Sequence, residues 1–238
     1  MRRNSKLVVR LFAGLLILWA LLLYYPIRNG FSRAAILATF TGCVVCLVLM
    51  LWRHKWSRWA PLAIPAIFAA LLLLPGRPVN RVVLRAAYVT ELQSYKETRY
   101  VWGGENWRGV DCSGLLRSAL VDAQFRQSFH TLNPALARQA LWFWWHDASA
   151  HDLRNGYQGQ TSQLGSPIPL KDVPPDLLLP GDFAVTADGS HVLAYFGNGR
   201  WIEADPYALR VIELSPGMPS EWWIVNVVPC RWQCLGVQ

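Results

Sequence analysis

The sequence predicts an α+β domain that is preceded by membrane-spanning helices. Two observations predict this class: apolar runs fill most of the first 76 residues, and beyond them helical patterns give way to short β-rich runs. Charge divides the chain at nearly the same place, because all 15 acidic residues lie at or after Glu91, whereas 12 of the 23 Lys and Arg precede it. We therefore expect a membrane anchor over residues 1–76 and a folded domain over residues 77–238.

The net charge of +8 does not describe a uniformly basic protein. It combines +12 over the first 90 residues with −4 over the remainder, where 11 basic residues stand against 15 acidic ones. Nucleic-acid binding needs basic charge on a folded face with stacking aromatic residues, and here the charge flanks apolar runs. The lipid bilayer is therefore an expected partner, and nucleic acid is not.

Three apolar runs can be compared with a bilayer, which a helix crosses with about 20 mainly apolar residues. They occupy residues 11–25, 34–52 and 60–75. The second run meets this length, and the first meets it when extended to Leu7, with the Arg10 side chain reaching the headgroups. A cleavable signal peptide is the alternative for the first run, but no small-residue cleavage site follows it. The third run is short and contains Pro65, so a buried or interfacial helix is its alternative.

Basic residues around these runs predict the orientation of the anchor. The N-terminus and the second link carry Arg2, Arg3, Lys6, Arg53, Lys55 and Arg58, whereas the first link carries only Arg28 and Arg33. Cytoplasmic loops carry an excess of Lys and Arg, so we expect the N-terminus and the second link in the cytoplasm. Three spans then place everything after Pro75 outside, while two spans would leave it in the cytoplasm.

The folded domain is predicted to begin with helices. Residues 82–95 have the pattern of a helix that leaves the membrane, and a second helix follows the sequence DCSG. The apolar stripe of this second helix consists of Leu115, Leu116, Ala119, Leu120 and Ala123. Arg117, Ser118 and Asp122 lie outside the stripe, and Asp111 is a suitable N-cap.

The spacing of apolar residues changes from a helical to a strand-like period in the second half of the domain. Residues 133–148 are helical and rich in aromatic side chains, and a polar, Pro-rich loop follows to Pro180. Beyond it stand five short β-rich runs separated by turn residues: GDFAVTA, HVLAYFG, RWIEADP, LRVIELS and EWWIVNVVP. Helices followed by an antiparallel sheet predict the α+β class.

Cys112 stands between an acid and a serine, where the second helix is predicted to begin. Cysteine acts as a nucleophile only as the thiolate, of which little exists in an ordinary thiol at neutral pH. The positive end of a helix favours the thiolate, and Cys112 would be the first residue after the cap. The alternative is a small buried cysteine that fills the junction.

His191 is the candidate base among five histidines, since it opens a strand directly before the hairpin turn GNG. A three-residue loop over residues 197–199 would pair Phe196 with Arg200. His191 would then lie opposite Asp205 and diagonal to Glu203, on one face of the sheet. A two-residue loop would shift the parity and turn both acids away.

Three ordered motifs resemble the NlpC-type family of papain-like bacterial cell-wall cysteine peptidases. They read YVWGGENWRGVDCSGLL, LLPGDFAV and HVLAYFGNGRWIEA, and the resemblance covers residues 95–229. It implies a papain-like domain in which a nucleophile helix packs on an antiparallel sheet. It also implies a triad of cysteine, histidine and a polar residue in that chain order, with no cofactor and no metal.

The resemblance assigns Cys112 as nucleophile and His191 as general base. Glu203 falls on the third position, where the family usually has His, Asn or Gln, so this is a departure. Glu203 is kept as the residue that orients His191, and Asp205 is the reserve candidate from the register argument. The substrate cleft is expected to be lined by Tyr100, Asp111 and Ser113.

The expected function is a membrane-anchored thiol hydrolase that cleaves an amide bond in peptidoglycan stem peptides. Its expected location is the cytoplasmic membrane of a bacterium, crossed several times, with the catalytic domain on the outer side. Two alternatives remain: an amidase or acyltransferase acting on a lipid or protein, and a catalytically silent module that binds wall peptides. Outside the cytoplasm Cys230 and Cys234 could form a disulfide, and no protein partner is predicted.

Overall fold

The computed structural model describes residues 2–52 and 57–236. Its N-terminal part consists of three helices, α1 Arg2–Tyr24, α2 Gly30–Met50 and α3 Ala60–Leu73. Two of them, α1 and α2, are long and apolar enough to cross a membrane, whereas α3 and the 3-10 turn before it form a shorter apolar helix. Arg53 and Lys55, on which the predicted orientation partly rests, lie outside the described residues, as does His54.

The link between α1 and α2 is fixed at both ends. The Asn29 side chain accepts the backbone N–H of Ser32, and the Ser32 hydroxyl accepts the backbone N–H of Asn29, which forms a capping box at the start of α2. At the other end the Arg28 guanidinium donates to the carbonyls of Leu22 and Leu23 at 2.7 and 2.8 Å. These bonds satisfy helix-end groups that would otherwise lack partners.

The folded domain contributes four more helices and a small ribbon. The helices are α4 Arg81–Ser94, α5 Cys112–Thr131, α6 Pro134–Trp145 and α7 Ala150–Arg154, and the ribbon pairs β1 Glu105–Asn106 with β2 Gly109–Val110. The helices α4, α5 and α6 agree with the sequence predictions. The helix α7 lies in the stretch predicted as a loop, where a capping box between Ser149 and Asp152 starts a helical turn.

An antiparallel sheet forms the second half of the domain. Its strands are β3 Thr161–Gln163, β4 Ile168–Pro169, β5 Phe183–Thr186, β6 Val192–Gly197, β7 Arg200–Asp205, β8 Arg210–Leu214 and β9 Asn226–Trp232. They lie in the order β3-β9-β5-β6-β7-β8, and β4 also pairs with β9. The α+β class predicted from the sequence is confirmed.

The main core lies between this sheet and the helices α4, α5 and α6. All five residues of the predicted apolar stripe on α5 are fully buried there. A smaller apolar cluster around Tyr195 and Trp201 covers the other face, because side chains alternate between the two faces along a strand. Packing against the sheet therefore fixes the position of α5 over β6 and β7. The predicted base His191 directly precedes β6, and its partner Glu203 lies on β7.

The hairpin of β6 and β7 differs from the prediction in its loop but not in its register. Gly197 pairs with Arg200, so the loop has two residues, and Phe196 is displaced in a bulge instead of pairing with Arg200. The extra residue in the bulge restores the parity that the short loop would have changed. Ala194 consequently faces Ile202, as the predicted register requires.

The last predicted strand is only partly correct. Residues Glu221–Ile224 form a 3-10 turn, because the Ser220 hydroxyl accepts the backbone N–H of Trp222 and starts a helical turn. The strand β9 begins after this turn and runs past Pro229 to Trp232. The difference matters for function, since it brings Trp222 to the candidate active site.

Candidate active site

Cys112 is the first residue of α5 and is 8% exposed. Its neighbour Asp111 caps the helix as predicted: one carboxylate oxygen accepts the backbone N–H of Gly114 at 2.7 Å and the hydroxyl of Ser113 at 3.1 Å. The other oxygen accepts the backbone N–H of Gly103 at 2.8 Å. Asp111 therefore joins the start of the helix to the preceding loop and fixes the position of the sulfur.

Two glycines allow this loop to touch the helix. A Cβ atom on Gly114 would overlap the carbonyl oxygen of Gly104, and a Cβ atom on Gly104 would lie 2.5 Å from the carbonyl oxygen of Gly109. Neither contact is compatible with a side chain. The glycines in the motif thus bring backbone groups close to Cys112, whose own N–H has no acceptor in the part of the chain that the structure describes.

His191 lies between Cys112 and Glu203. Its Nε2 atom is 2.5 Å from Oε2 of Glu203, and Cys112 is close enough for its thiol to help raise the pKa of the ring. The histidine is 4% exposed and Glu203 is fully buried. The structure thus brings together three of the predicted site residues, which approach from α5, from the start of β6 and from the middle of β7.

These contacts favour the charged imidazole. Burial acts against the charge, but the hydrogen bonds and the negative charge offered by Cys112 and Glu203 outweigh it and raise the pKa of His191 to about 9. Burial likewise raises the pKa of Glu203, against the opposing effect of the imidazole beside it. A histidine that holds its proton next to a sulfur atom is the arrangement that favours a thiolate.

Trp222 covers the imidazole and was missed by the sequence reasoning. Its ring is stacked on His191 with the centroids 4.2 Å apart and an angle of 13° between the planes. The sequence run EWWIV had the composition of a strand, and no feature of it indicated a contact with a histidine. The stacked indole keeps water from one face of the ring.

The remaining predicted site residues take different positions. Tyr100 lies near Cys112, and burial together with the negative charge of Cys112 and Asp111 raises the pKa of its phenol to about 12. Asp205 instead accepts the backbone N–H groups of Tyr207 and Ala208 at 2.6 and 3.0 Å, which closes the turn after β7. Of the two acids, Glu203 is the one that contacts His191.

Four charged residues next to the site were also not recognised from the sequence. Arg117 of α5 and Arg33 of α2 both pair with Glu105, and Asp147 contacts both guanidinium groups. Arg117 is 1% exposed although it was placed outside the apolar stripe. The sequence placed Arg117 on the solvent face of its helix, and no local feature indicated that the residue would be buried in an ion pair.

The other thiols of the domain differ from Cys112. Burial raises the pKa of both Cys230 and Cys234 to about 12, and all five cysteines are free in this structure. Residues 2–52 and 57–236 contain no group of three or more His, Cys, Asp or Glu side chains that could hold a metal ion. At neutral pH neither of these two thiols would be ionised, which leaves Cys112 as the candidate nucleophile among the cysteines of the domain.

A cavity of about 880 Å³ lies beside the three residues. Its lining includes Ser190, Asp205 and Trp222, which are neighbours of His191 in sequence or in space. Cys112 and His191 do not themselves line it, so it adjoins the reacting atoms and does not contain them. Its size would accommodate part of a short peptide.

Comparisons with known proteins agree with the motifs. Residues 97–227 match the model of the NlpC/P60 family. Among solved structures, the NlpC/p60 domain of the peptidoglycan hydrolase SagA is 21% identical with a TM-score of 0.36, covering 60% of this chain and 96% of that chain. The peptidoglycan hydrolase RipB from Mycobacterium tuberculosis is 18% identical with a TM-score of 0.40, covering 81% and 83%. No curated protein matches the chain.

Proposed function

This chain belongs to the NlpC/P60 family, and from that premise we propose that it is a membrane-anchored cysteine peptidase that cleaves an amide bond in peptidoglycan stem peptides. The observation that carries the proposal is the buried imidazole of His191, which contacts Glu203 and whose charged form is stabilised by Cys112 and Glu203 together. A silent binding module would not need this contact, which stabilises a charged histidine beside a sulfur atom.

In the proposed reaction the Cys112 sulfur attacks the carbonyl carbon of the scissile amide. His191 takes the thiol proton and then gives it to the leaving nitrogen, so the C–N bond breaks and a thioester forms. Water then attacks the thioester, His191 takes its proton, and the sulfur leaves and recovers that proton. The backbone N–H of Cys112 is a candidate donor to the oxyanion, because the first N–H groups of a helix have no acceptor within the helix.

In this proposal Glu203 keeps the imidazole in the tautomer that has its proton on Nε2. The other ring nitrogen then faces the sulfur, and the buried carboxylate stabilises the imidazolium that forms when the thiol loses its proton. Trp222 restricts water on one face of the ring. Tyr100, Asp111 and Ser113 are proposed to line the cleft, with Asp111 acting at the same time as the helix cap.

The proposed topology has the N-terminus in the cytoplasm and the catalytic domain outside. The contact of the first link with the domain supports it: the carbonyl of Pro26 accepts the backbone N–H of Glu105. Since the first link is outside when the N-terminus is inside, the domain must be outside too, which requires α3 to cross. The 14 residues of α3 and the three of the preceding 3-10 turn extend about 27 Å, close to the thickness of the hydrocarbon core.

The substrate class is proposed from the relatives. SagA and RipB are described as peptidoglycan hydrolases, and the same class of substrate is proposed for this chain. A stem peptide that lies in the cavity beside His191 would meet the carboxylates of Asp188, Asp205 and Glu221. A free amine on the peptide would be favoured there.

The test uses the full chain in lipid nanodiscs. Purified muropeptides are incubated with the wild type, with Cys112→Ala and with His191→Ala, and the products are followed by mass spectrometry. Cys234→Ala is the matched control, because it removes a half-buried thiol away from the site. We expect cleavage by the wild type and by the control only. Binding without cleavage by all four proteins would refute the hydrolase and support the silent module.

A further inference from the structure

The link between α1 and α2 is hydrogen-bonded into the loop that precedes the nucleophile. The backbone N–H of Arg28 donates to the carbonyl of Gly103 at 2.8 Å, and the backbone N–H of Glu105 donates to the carbonyl of Pro26 at 3.0 Å. The link therefore adds a short strand-like segment to the edge of the loop. An ordinary tether would not share main-chain hydrogen bonds with the domain that it carries.

Side chains extend this contact. The Asn106 amide donates to the carbonyl of Tyr25 at 3.0 Å, the ring of Trp107 meets Tyr24 edge-on at 6.0 Å, and the guanidinium of Arg108 lies 4.4 Å from the centre of the Tyr24 ring. Aromatic and cation–π pairs of this kind prefer the membrane interface, where one side is apolar and the other is wet. The end of α1 and the β1–β2 ribbon thus form one continuous surface.

A buried ion-pair cluster connects the anchor to the nucleophile helix. Arg33, in the first turn of α2, is fully buried and lies 2.7 Å from one carboxylate oxygen of Glu105, while Arg117 of α5 contacts the other oxygen. Asp147 joins them, at 2.9 Å from Arg117 and 3.6 Å from Arg33. Two positive and two negative groups form the cluster; Asp147 is 55% exposed, and the nearby guanidinium of Arg28 also acts on the charge of Glu105.

The cluster continues to the end of α6. The Arg117 guanidinium also donates to the carbonyls of Phe143 and His146 at 2.8 and 2.5 Å. Arg117 thereby fixes the rotation of α5 one and a half turns beyond Cys112. A shift of Glu105 would be transmitted to Arg117 and to the loop that holds Asp111.

We propose that the α1–α2 link is a structural part of the catalytic cleft and that Arg33 is a positioning residue for Cys112. The path is short: Pro26 accepts from Glu105, and the carbonyl of Gly104 accepts the backbone N–H of Asp111 at 3.1 Å. Two strand spacings therefore separate the link from the residue before the nucleophile, a distance of about 10 Å. The proposal concerns the site of the proposed function, but its thiol readout does not depend on which substrate is cleaved.

The physical reason is the cost of an unpaired buried charge. Without Arg33 the carboxylate of Glu105 keeps one of its two guanidinium partners and stays away from water, which is unfavourable. The least costly relief is a movement of the loop that carries Glu105 toward solvent. A displacement of about 1 Å at the reacting atoms costs up to roughly 100-fold in rate.

The anchor has a second contact with the domain that serves as a comparison. Arg138 of α6 donates to the carbonyls of Leu72 and Leu74 at the end of α3, at 2.6 and 2.8 Å. This contact also joins anchor and domain, but within residues 2–52 and 57–236 the Arg138 side chain bonds neither to the loop of residues 103–111 nor to the four charged residues of the cluster. Loss of attachment in general can therefore be separated from loss of positioning.

The experiment uses the full chain in nanodiscs and compares Arg33→Gln, Arg33→Lys and Arg138→Gln with the wild type. Two quantities are measured: kcat and KM on muropeptides, and the rate at which iodoacetamide modifies Cys112, followed on the tryptic peptide of residues 109–117. We expect Arg33→Gln to lower kcat and the modification rate by about 10-fold or more with KM within about two-fold. Arg33→Lys should recover most of both losses, and Arg138→Gln should match the wild type.

A charge-balanced variant keeps the test decisive when Arg33→Gln does not fold. Arg33→Gln combined with Asp147→Asn removes one charge of each sign and leaves the pair of Glu105 and Arg117. We expect this double variant to unfold within a few degrees of the wild type, because the charges balance, and still to lose kcat and thiol reactivity, because no side chain of α2 holds Glu105 in place. Melting in nanodiscs is followed by circular dichroism.

Unchanged kcat and unchanged modification of Cys112 in the double variant would overturn the proposal, as would an equal loss in Arg138→Gln. A wild type that cleaves no muropeptide would contradict the proposed function alone, since the modification rates still report on the position of the sulfur. A slower modification in Arg33→Gln, restored by Arg33→Lys, supports the proposal under either result.

Discussion

Replacing Glu203 with glutamine separates the charge of this residue from its hydrogen bond. Glu203 is fully buried, with Oε2 2.5 Å from Nε2 of His191. A glutamine amide has nearly the same shape, and its oxygen can still accept the Nε2 proton, but it carries no negative charge. The resemblance implies His, Asn or Gln at this position, so a carboxylate here is a departure from that pattern.

The size of the effect follows from the pKa of His191. The folded value of about 9, against 6.5 for an ordinary histidine, corresponds to roughly 3 kcal/mol in favour of the imidazolium. Cys112 and Glu203 share this effect. If Glu203 supplies half of it, glutamine lowers the pKa by about one unit, and the charged fraction at pH 8 falls from about nine-tenths to about half.

The sign of the pH dependence is fixed by the direction of the shift. A raised pKa in the folded protein means that the imidazolium is present below about pH 9 and is lost as the pH rises through that value. The alkaline limb of kcat/KM reports this loss in the free enzyme. In Glu203→Gln the limb should move toward neutral pH by about one unit or more, with the acid limb little changed.

The assay is the pH profile of muropeptide cleavage, with iodoacetamide modification of Cys112 as a substrate-free readout. Asp205→Asn is the matched control, because it removes a carboxylate from the same strand that does not contact His191. We expect its alkaline limb to stay in place. An unmoved limb in Glu203→Gln, or a limb that moves in Asp205→Asn instead, would refute the assignment of Glu203 as the partner of His191.

Three further predictions follow from the site. Gly114→Ala should destabilise the protein by about 2 kcal/mol or more, because its Cβ would overlap a backbone carbonyl, while Gly14→Ala, with no neighbour within 4 Å, should not; thermal unfolding measures both. Trp222→Ala should lower kcat/KM about five-fold and Trp222→Phe much less, since a stacked pair contributes about 1 kcal/mol, and equal losses would argue against stacking on His191. At pH 7 iodoacetamide should modify Cys112 before the two C-terminal thiols, because burial raises the pKa of those thiols to about 12. Peptide mapping that finds the reverse order would contradict an activated Cys112.

The sequence was sufficient for the features that local patterns determine. The stripe on α5, its cap at Asp111 and the hairpin of β6 and β7 follow from hydrophobic periodicity and turn residues, and they agree with the structure. The register of His191 against Glu203 was expected only for the longer of two possible loops, and the structure has the shorter one. It was correct because the bulge at Phe196 compensated for the shorter loop, and no local signal distinguishes the two solutions.

The sequence was insufficient where partners are far apart along the chain. Trp222 meets His191 from a turn that was predicted as a strand, and Arg33 meets Glu105 across 72 positions. The local sequence around each residue indicates something ordinary. Trp222 has the surroundings of an aromatic strand residue, and Arg33 those of a basic residue in a link between apolar helices. Only tertiary packing makes them neighbours, because neither periodicity nor spacing encodes which distant charge will be buried beside another.

The central claim is that Cys112 forms a covalent bond with the substrate. The most direct measurement is mass spectrometry of the acid-quenched full chain after incubation with muropeptides, followed by digestion with trypsin. We expect the peptide of residues 109–117 to carry an added mass equal to the acyl part of the cleaved muropeptide, bound at the sulfur. Cleavage that proceeds at the wild-type rate in Cys112→Ala, or an adduct on a different residue, would contradict it.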